Sequence, residues 1–213
     1  LTLKDAEVSK ADEFCVGYMQ MLKSAKTERL FAEKSIYMAR AAGFLEYDSK
    51  MKYNPGDRVY VSNRGKAVIF AVFGKEPIES GIQISAAHID SPRLDLKPNP
   101  LYENNELAYF KTHYYGGIKK YQWVATPLAL HGVVIKKDGT KIDVVIGEDD
   151  NDPVIGVSDL LVHLAGEQMQ KKANEFIAGE DLNILVGNIP AIGEEKDAIK
   201  KNILNLLKEK YDF

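Results

Sequence analysis

Cysteine is nearly absent from this sequence: Cys15 is the only one among 213 residues. One thiol cannot form a disulfide within the chain, and zinc sites built from several cysteines are excluded. The helical pattern around Cys15 predicts a core or half-buried position for its side chain. Chains without disulfides are typical of reducing compartments, so we expect a cytoplasmic protein.

Long apolar runs and a large excess of one charge are also missing. A membrane-spanning helix needs about 20 apolar residues, and the sequence shows neither such a run nor a signal-peptide pattern. The net charge is −3, so we expect no membrane partner and no nucleic-acid partner. With 45% hydrophobic and 28% charged residues, the composition predicts a soluble folded protein. Because the sequence opens on Leu1 rather than methionine, we expect residues upstream of it.

Hydrophobic periodicity predicts a mixture of helices and strands whose first part opens with two helices. The second helix is expected to begin at Thr27 and to end at Gly43, a residue type favoured just after a helix. A short strand is predicted at 59–62. Residues 67–73 and 82–88 are almost continuously apolar, which is typical of strands covered on both faces.

The pattern changes after residue 92. The sequence Lys97-Pro98-Asn99-Pro100 predicts an extended connector, and we place a domain boundary there, with one part at 1–97 and a β-rich part at 98–213. Ser158 is expected to cap a helix over about 159–176, and a last helix is expected over about 194–210. Short strands are predicted at 107–112, 128–135, 142–146 and 182–186, with a hairpin turn at 137–140.

His88 and Asp90 end the second apolar segment and are the leading candidates for chemistry. Residues two apart in a strand point to the same side. An imidazole is a good zinc ligand, and a carboxylate beside it can accept the other ring N–H. Ligands also tend to bind at the carboxyl ends of strands in α/β sheets. Taken alone this short pattern is weak, and a purely structural histidine at a strand end stays an alternative.

A longer set of motifs extends this interpretation. The string His88-Ile89-Asp90-Ser91-Pro92-Arg93-Leu94 is followed by Tyr115-Gly116-Gly117-Ile118 and later by Asp159-Leu160-Leu161-Val162-His163-Leu164. Together they resemble the aminopeptidase I / aspartyl aminopeptidase family of dinuclear zinc peptidases. The resemblance implies part of a zinc-peptidase-like α/β catalytic domain plus a β-rich dimerisation insert. It also implies homodimers that assemble into a larger homo-oligomer.

The resemblance assigns roles to three residues. His88 matches the first zinc ligand of the family, and Asp90 matches the acid that orients it. His163 matches a histidine of the insert that reaches the active site of the partner subunit, near the substrate carbonyl. The implied reaction releases N-terminal amino acids from peptides through a metal-activated water, with two Zn²⁺ ions per active site.

Most of the family's ligands have no counterpart here. The family places a bridging aspartate, a Glu-Glu pair, a further carboxylate and a final histidine beyond the insert, whereas Glu194-Glu195 is expected to begin a surface helix. We therefore expect an incomplete part of a longer enzyme that is inactive by itself. Two alternatives stay open: a non-catalytic oligomerisation or binding module with a structural His88, and a dinuclear site for deacylation or carboxypeptidase cleavage.

The other polar candidates are expected to have structural roles. His131 alternates with apolar residues of its strand and is expected to face solvent or a partner. His113, at a strand end, is expected to be structural. The acidic residues 148–152 lack the glycine and the closing glutamate of a calcium loop, so a solvated turn is predicted.

Overall fold

A computed structural model describes residues 4–212. The chain is a mixture of helices and strands, as predicted, and it divides into two compact units: the first ends at Ser91 and the second begins at Pro92. Among the helices of the described residues, none combines the length and the apolar character that crossing a membrane requires.

The first unit has two helices and a small sheet. Strand β1 runs parallel to β2, and β2 and β3 form an antiparallel hairpin, which leaves β3 at one end of the sheet. The elements are α1 (Asp5–Ser24), α2 (Glu28–Ala41), β1 (Leu45–Glu46), β2 (Arg58–Asn63) and β3 (Ala67–Val72).

Helix α2 has the ends that the sequence predicts. Thr27 Oγ1 accepts a hydrogen bond from Leu30 N at 3.2 Å, which satisfies one main-chain donor of the first turn. Gly43 follows the helix with φ of 85°, and Phe44 N donates to Ala39 O at 2.9 Å. The left-handed glycine turns the chain back so that carbonyls of the last turn gain partners.

The predicted burial of α1 is wrong. Cys15 is exposed, Phe14 is 74% exposed, and α1 buries none of its described residues. The spacing of its apolar residues is helical, but the described part of the first unit supplies no element that covers that face.

The two predicted buried strands of the first unit also differ from expectation. Strand β3 forms, yet Ile69 is 66% exposed. Residues 82–88 form no strand, and Ile84 is 75% exposed. A strand exists only where a neighbour takes its main-chain hydrogen bonds, and the described residues offer none to this segment. The apolar pattern thus indicates a burial that the first unit does not provide by itself.

The second unit contains a five-stranded sheet in the order β4-β5-β10-β9-β6, a separate β7–β8 hairpin and a helix. Its contiguous core lies around Phe110 and Leu182, which is fully buried. The elements are β4 (Arg93–Asn104), β5 (Leu107–Tyr115), β6 (Pro127–Leu128), β7 (Leu130–Ile135), β8 (Lys141–Ile146), β9 (Ile155–Gly156), β10 (Ile184–Gly187) and α3 (Ala198–Tyr211).

The predicted connector at 97–100 is part of a strand. Strand β4 continues through these residues, and its register against β5 shifts between Leu96 and Leu101. Asn99 has φ of 54°, so the four residues form an irregularity inside β4. The predicted extended connector is therefore wrong in two respects: these residues lie inside a strand, and Asn99 is left-handed rather than extended. The strand was not predicted because proline is unfavourable in regular strands.

The helix predicted at 159–176 is absent. These described residues form turns and one short 3₁₀ segment, Gln168–Gln170. Asp159 Oδ1 instead accepts hydrogen bonds from Leu160 N at 2.8 Å and from Gln168 Nε2 at 3.0 Å. Leu161, Ala165, Met169 and Ala173 have the spacing of one helix face, but only Ala165 among them is buried. The segment therefore lacks the packing that stabilises most helices in proteins.

The last helix begins later than predicted. Helix α3 starts at Ala198, and the main-chain nitrogens of Ile199 and Lys200 each donate to Glu103 Oε2 at 2.9 Å. A carboxylate from a distant strand therefore caps the helix. Glu194 lies before the helix and pairs with Lys201.

Candidate active-site residues

The structure brings His88 and Asp90 together. His88 Nδ1 lies 3.0 Å from the main-chain oxygen of Asp90 and 3.4 Å from its carboxylate Oδ1. A carbonyl oxygen only accepts hydrogen bonds, so a hydrogen bond here requires the proton on Nδ1, and Nε2 is then the ring nitrogen that could bind another partner. The His88 side chain is 85% exposed and that of Asp90 is 36% exposed.

These residues fit one position of a zinc site and do not complete one. No group of three or more histidine, cysteine, aspartate or glutamate side chains within residues 4–212 is arranged to hold a metal ion. A structural or catalytic zinc needs at least three protein ligands. Any zinc bound through His88 therefore requires ligands from outside the described residues.

Two of the sequence motifs meet at the start of the second unit. Arg93 pairs with Tyr115 across β4 and β5, and the Arg93 guanidinium lies 4.2 Å from the centre of the Tyr115 ring. Arg93 Nε also donates to Asp95 Oδ1 at 2.7 Å. Gly116 follows with φ of 80° beside Pro92, a conformation that side chains with a β-carbon disfavour. The sequence did not predict this contact, which the pairing of β4 with β5 produces.

His163 belongs to the second unit and is exposed in a turn. Its neighbours are exposed as well: Leu161 by 71%, Val162 by 67% and Leu164 by 70%. Leu164 N donates to Leu161 O at 2.8 Å and closes the turn. His163 therefore lies in an exposed turn and not on the helix that was predicted for this segment.

His131 does not face solvent, which was the first of its two expected positions; contact with a partner, the second, stays a prediction. Its side chain is 15% exposed, and its Nε2 lies 2.8 Å from Glu148 Oε1. Its Nδ1 is buried and has no hydrogen-bond partner within the described residues. Glu148, in the loop after β8, folds over the ring, which strand alternation alone could not reveal.

The predicted solvated turn at 148–152 is wrong for Asp152. This side chain is 9% exposed and pairs with Lys210 of α3, and its Oδ2 accepts from Gly147 N at 2.9 Å. The hydrogen bond from Lys210 and those from main-chain nitrogens lower the pKa of the Asp152 carboxyl. The acidic loop thus fixes the end of α3.

Comparison with known proteins decides the family. Residues 21–213 match the profile of the family described as "Aminopeptidase I zinc metalloprotease (M18)". The chain belongs to the M18 family. The fold and the resemblance predicted from the motifs are therefore confirmed at the level of the family, and the family's description includes zinc.

M18 relatives share most of this chain. A probable M18 family aminopeptidase 1 of Clostridium acetobutylicum is 55% identical over 207 residues, which are 94% of this chain and 44% of the relative. The crystal structure of an M18 aminopeptidase from Thermotoga maritima has a TM-score of 0.89 at 43% identity and covers 96% of this chain and 45% of that one. The chain thus spans about half the length of the relatives it matches.

A more distant structure shares the fold alone. The S. cerevisiae protein described as the mApe1 dodecamer is 17% identical, with a TM-score of 0.64 over 94% of this chain and 44% of its own. Its description states that this yeast protein assembles into twelve copies.

Proposed function

We propose that the complete protein is a zinc-dependent aminopeptidase that releases N-terminal amino acids from peptides. The match to the M18 profile over residues 21–213 carries the proposal, because it spans His88, Asp90 and His163. A relative at 55% identity bears the name of a probable aminopeptidase. Since the chain spans about half the length of such relatives, the activity is proposed for the whole protein.

In this proposal His88 is a zinc ligand through Nε2, and Asp90 is the residue that positions it. The Nδ1 contact to Asp90 supports this, because it holds the ring with Nε2 directed away. Zinc, when bound, supplies a water of lowered pKa that can attack a peptide carbonyl. Two zinc ions per active site, and a general base and further ligands outside this sequence, follow from the family resemblance.

The test compares two exposed histidines in the complete protein. His88→Ala should lose one zinc per subunit and lower the turnover of a peptide substrate by more than about 100-fold, because a lost ligand costs more than a lost positioning residue. Asp90→Asn should lower metal affinity or activity by about 10–100-fold. His113→Ala, on β5, is the matched control and should keep both zinc and turnover. Normal zinc content and activity in His88→Ala would show that His88 is structural.

The 213-residue chain by itself is proposed to be inactive. Its described residues contain no group of three side chains that could hold a metal, so it should neither bind two zinc ions nor hydrolyse peptides. Zinc analysis and a peptide-hydrolysis assay on the purified chain check this. Clear turnover would refute the idea that the remaining machinery lies outside it.

His163 is proposed to serve the active site of a partner subunit. Its turn exposes Leu161, Val162 and Leu164, an apolar surface that a second copy could cover. The proposed unit is a homodimer that assembles further, with residues 98–213 as the dimerisation insert and 1–97 as part of the catalytic domain. A two-fold dimer lets each insert reach the other copy.

Mixing two inactive variants of the complete protein tests whether His163 acts in the active site of the partner subunit. His88→Ala lacks a working metal site. His163→Ala keeps its metal site but lacks the histidine proposed to reach the substrate carbonyl in the partner subunit. In a mixed dimer, one site combines an intact His88 with His163 from the other copy. Random re-pairing at equal amounts should therefore restore about a quarter of the wild-type activity. No recovery, with subunit exchange shown separately, would contradict action across the interface.

The alternative function, a non-catalytic oligomerisation module, is distinguished by the zinc measurement. Absence of zinc and of turnover in the complete protein, with an intact oligomer, would favour it. A cytoplasmic location also stays a proposal, which fractionation of cells that produce the protein would test.

A further inference from the structure

Helix α3 is fixed at both of its ends. At its start, the carboxylate of Glu103 accepts hydrogen bonds from the main-chain nitrogens of Ile199 and Lys200, the second and third residues of the helix. At its end, Tyr211 Oη donates to Val145 O at 2.6 Å and accepts from Val145 N at 3.1 Å. These four hydrogen bonds hold the helix in place whatever lies beneath its middle.

Ile203 of α3 packs closely against β10. A β-carbon at Gly187 would lie 2.6 Å from Ile203 Cδ1, so residue 187 has no room for a larger side chain while Ile203 keeps this position. Next to this contact the side chains leave a space under α3 unfilled.

A cavity of about 450 Å³ remains under α3. It is walled by the five-stranded sheet, by the β7–β8 hairpin and by the helix itself. The apolar residues of its walls include Phe110, Leu130, Ile146, Ile155, Val186 and Leu206.

The ion pair at the edge of the cavity is already satisfied. Asp152 pairs with Lys210, and Asp152 Oδ2 also accepts from Gly147 N. A charged ligand would have to compete with this ion pair. Asp152 and Glu209 outnumber Lys210 at the edge, so an anion in particular would be repelled.

We propose that this cavity binds one uncharged, apolar small molecule, such as an aromatic or branched aliphatic compound. Pockets for small molecules have volumes of about 300–1,000 Å³ and mostly apolar walls, and this cavity meets both conditions. Walls on three sides suit a compact molecule better than the surface of a second copy. None of His88, Asp90 and His163 lines the cavity, so the proposal does not depend on the proposed peptidase activity.

The test uses N-phenyl-1-naphthylamine, an uncharged apolar fluorophore, titrated into the protein. Leu206→Trp narrows the cavity, whereas Leu204→Trp adds the same side chain at a position of equal exposure, 50% in both cases, that does not line it. We expect saturable binding of one probe per chain, weakened at least about tenfold by Leu206→Trp and at most about twofold by Leu204→Trp, where tenfold corresponds to about 1.4 kcal/mol. Equal binding to both variants would overturn the proposal.

A second measurement, on the unmodified protein, tests the same site even if Leu206→Trp does not fold. In methyl NMR spectra the probe should shift the signals of Ile146, Val186 and Ile203. Shifts confined to Ile69 and Val72, exposed apolar residues of the first unit, would overturn the proposal. So would an absence of probe binding together with self-association that Leu206→Trp abolishes, which would identify this face as a contact between copies.

Discussion

The two units differ in how far they bury their apolar residues. In the second unit, the buried residues around Phe110 and Leu182 form one contiguous core. In the first unit, the buried apolar residues are Ala25, Ala32, Ala39, Val59 and Tyr60, and three of these are alanines with little surface to bury. Larger apolar side chains of the first unit, such as Ile84, stay exposed.

This contrast shows that similar apolar content does not give similar cores. The second unit folds its strands and α3 around side chains from the whole length of its own sequence. The first unit presents apolar faces on α1 and β3 that its described residues leave open, which is the arrangement expected of an element that another part of a larger protein covers. The proposal that this chain is part of a longer enzyme accounts for the difference.

The largest expected effect is on the core of the second unit. Leu182 is fully buried, so Leu182→Ala should lower the free energy of unfolding by about 3 kcal/mol through lost burial and a new cavity. Ile84→Ala, at an apolar position that is 75% exposed, should change it by less than about 0.5 kcal/mol. Urea denaturation measures both. Similar losses for the two variants would show that the first unit buries its apolar segment after all.

A smaller effect is expected where the second unit buries a polar group. Thr112 is 2% exposed, and its hydroxyl donates to the main-chain oxygen of Leu182. Thr112→Val keeps the shape but removes the donor, which should cost about 1 kcal/mol. Thr126→Val, at an exposed hydroxyl, is the control and should be close to neutral in the same denaturation experiment. A neutral Thr112→Val would mean that the carbonyl finds another donor.

In the first unit, a local hydrogen bond at a helix end should contribute more to stability than the burial of an apolar side chain. Thr27→Ala removes the hydrogen bond to Leu30 N and should destabilise the start of α2 by about 1 kcal/mol. Amide hydrogen exchange at Leu30 should quicken accordingly. Ser35→Ala, inside the same helix, should leave the exchange unchanged or slow it, because alanine has the higher helix propensity. Unchanged exchange in Thr27→Ala would show that something other than the cap holds this end.

The smallest effect concerns an exposed ion pair of the second unit. Lys97 Nζ lies 2.7 Å from Glu180 Oε2, and the hydrogen bond and charge of Lys97 lower the pKa of the Glu180 carboxyl below its usual 4.5. A lowered pKa in the folded state stabilises the fold above the usual pKa, and this stabilisation is lost as the pH falls through the folded-state pKa.

The wild-type protein should therefore lose stability below pH 4.5 more steeply than Lys97→Met, although the difference is small because exposed pairs contribute little. Thermal unfolding followed by the fluorescence of Trp123, the only tryptophan, reports on this unit. Lys171→Met, at another exposed lysine, should follow the wild type. Identical profiles for all three proteins would show that the pair does not contribute.

Elements whose ends depend on neighbouring residues could be predicted from the sequence. Thr27 and Gly43 bound α2 because capping acts over a few residues. The hairpin turn forms at Gly139, whose φ of 88° suits glycine. Elements that depend on distant partners could not be predicted. The start of α3 is set by Glu103, and residues 82–88 lack the neighbour that their apolar pattern requires.

In the candidate site, too, some contacts could be predicted from the sequence and others could not. The closeness of His88 and Asp90 could be predicted from their spacing of two residues. The contact between His88 Nδ1 and the Asp90 main-chain oxygen could not, because every residue type has a main-chain oxygen. The pairing of His131 with Glu148 was missed because strand alternation identifies a face and not the loop that covers it. The roles of His88, Asp90 and His163 stay predictions, because ligands and partner copies determine them.

The irregularity in β4 has a consequence for association between chains. Strand β4 lies at one end of the five-stranded sheet, and exposed strand edges invite another chain to add a strand, which is a common route to aggregation. Pro98 and Pro100 have no main-chain N–H to offer an incoming strand, and the left-handed Asn99 between them bends the edge away from a straight path. This stretch of β4 therefore disfavours the joining of sheets between copies of the chain.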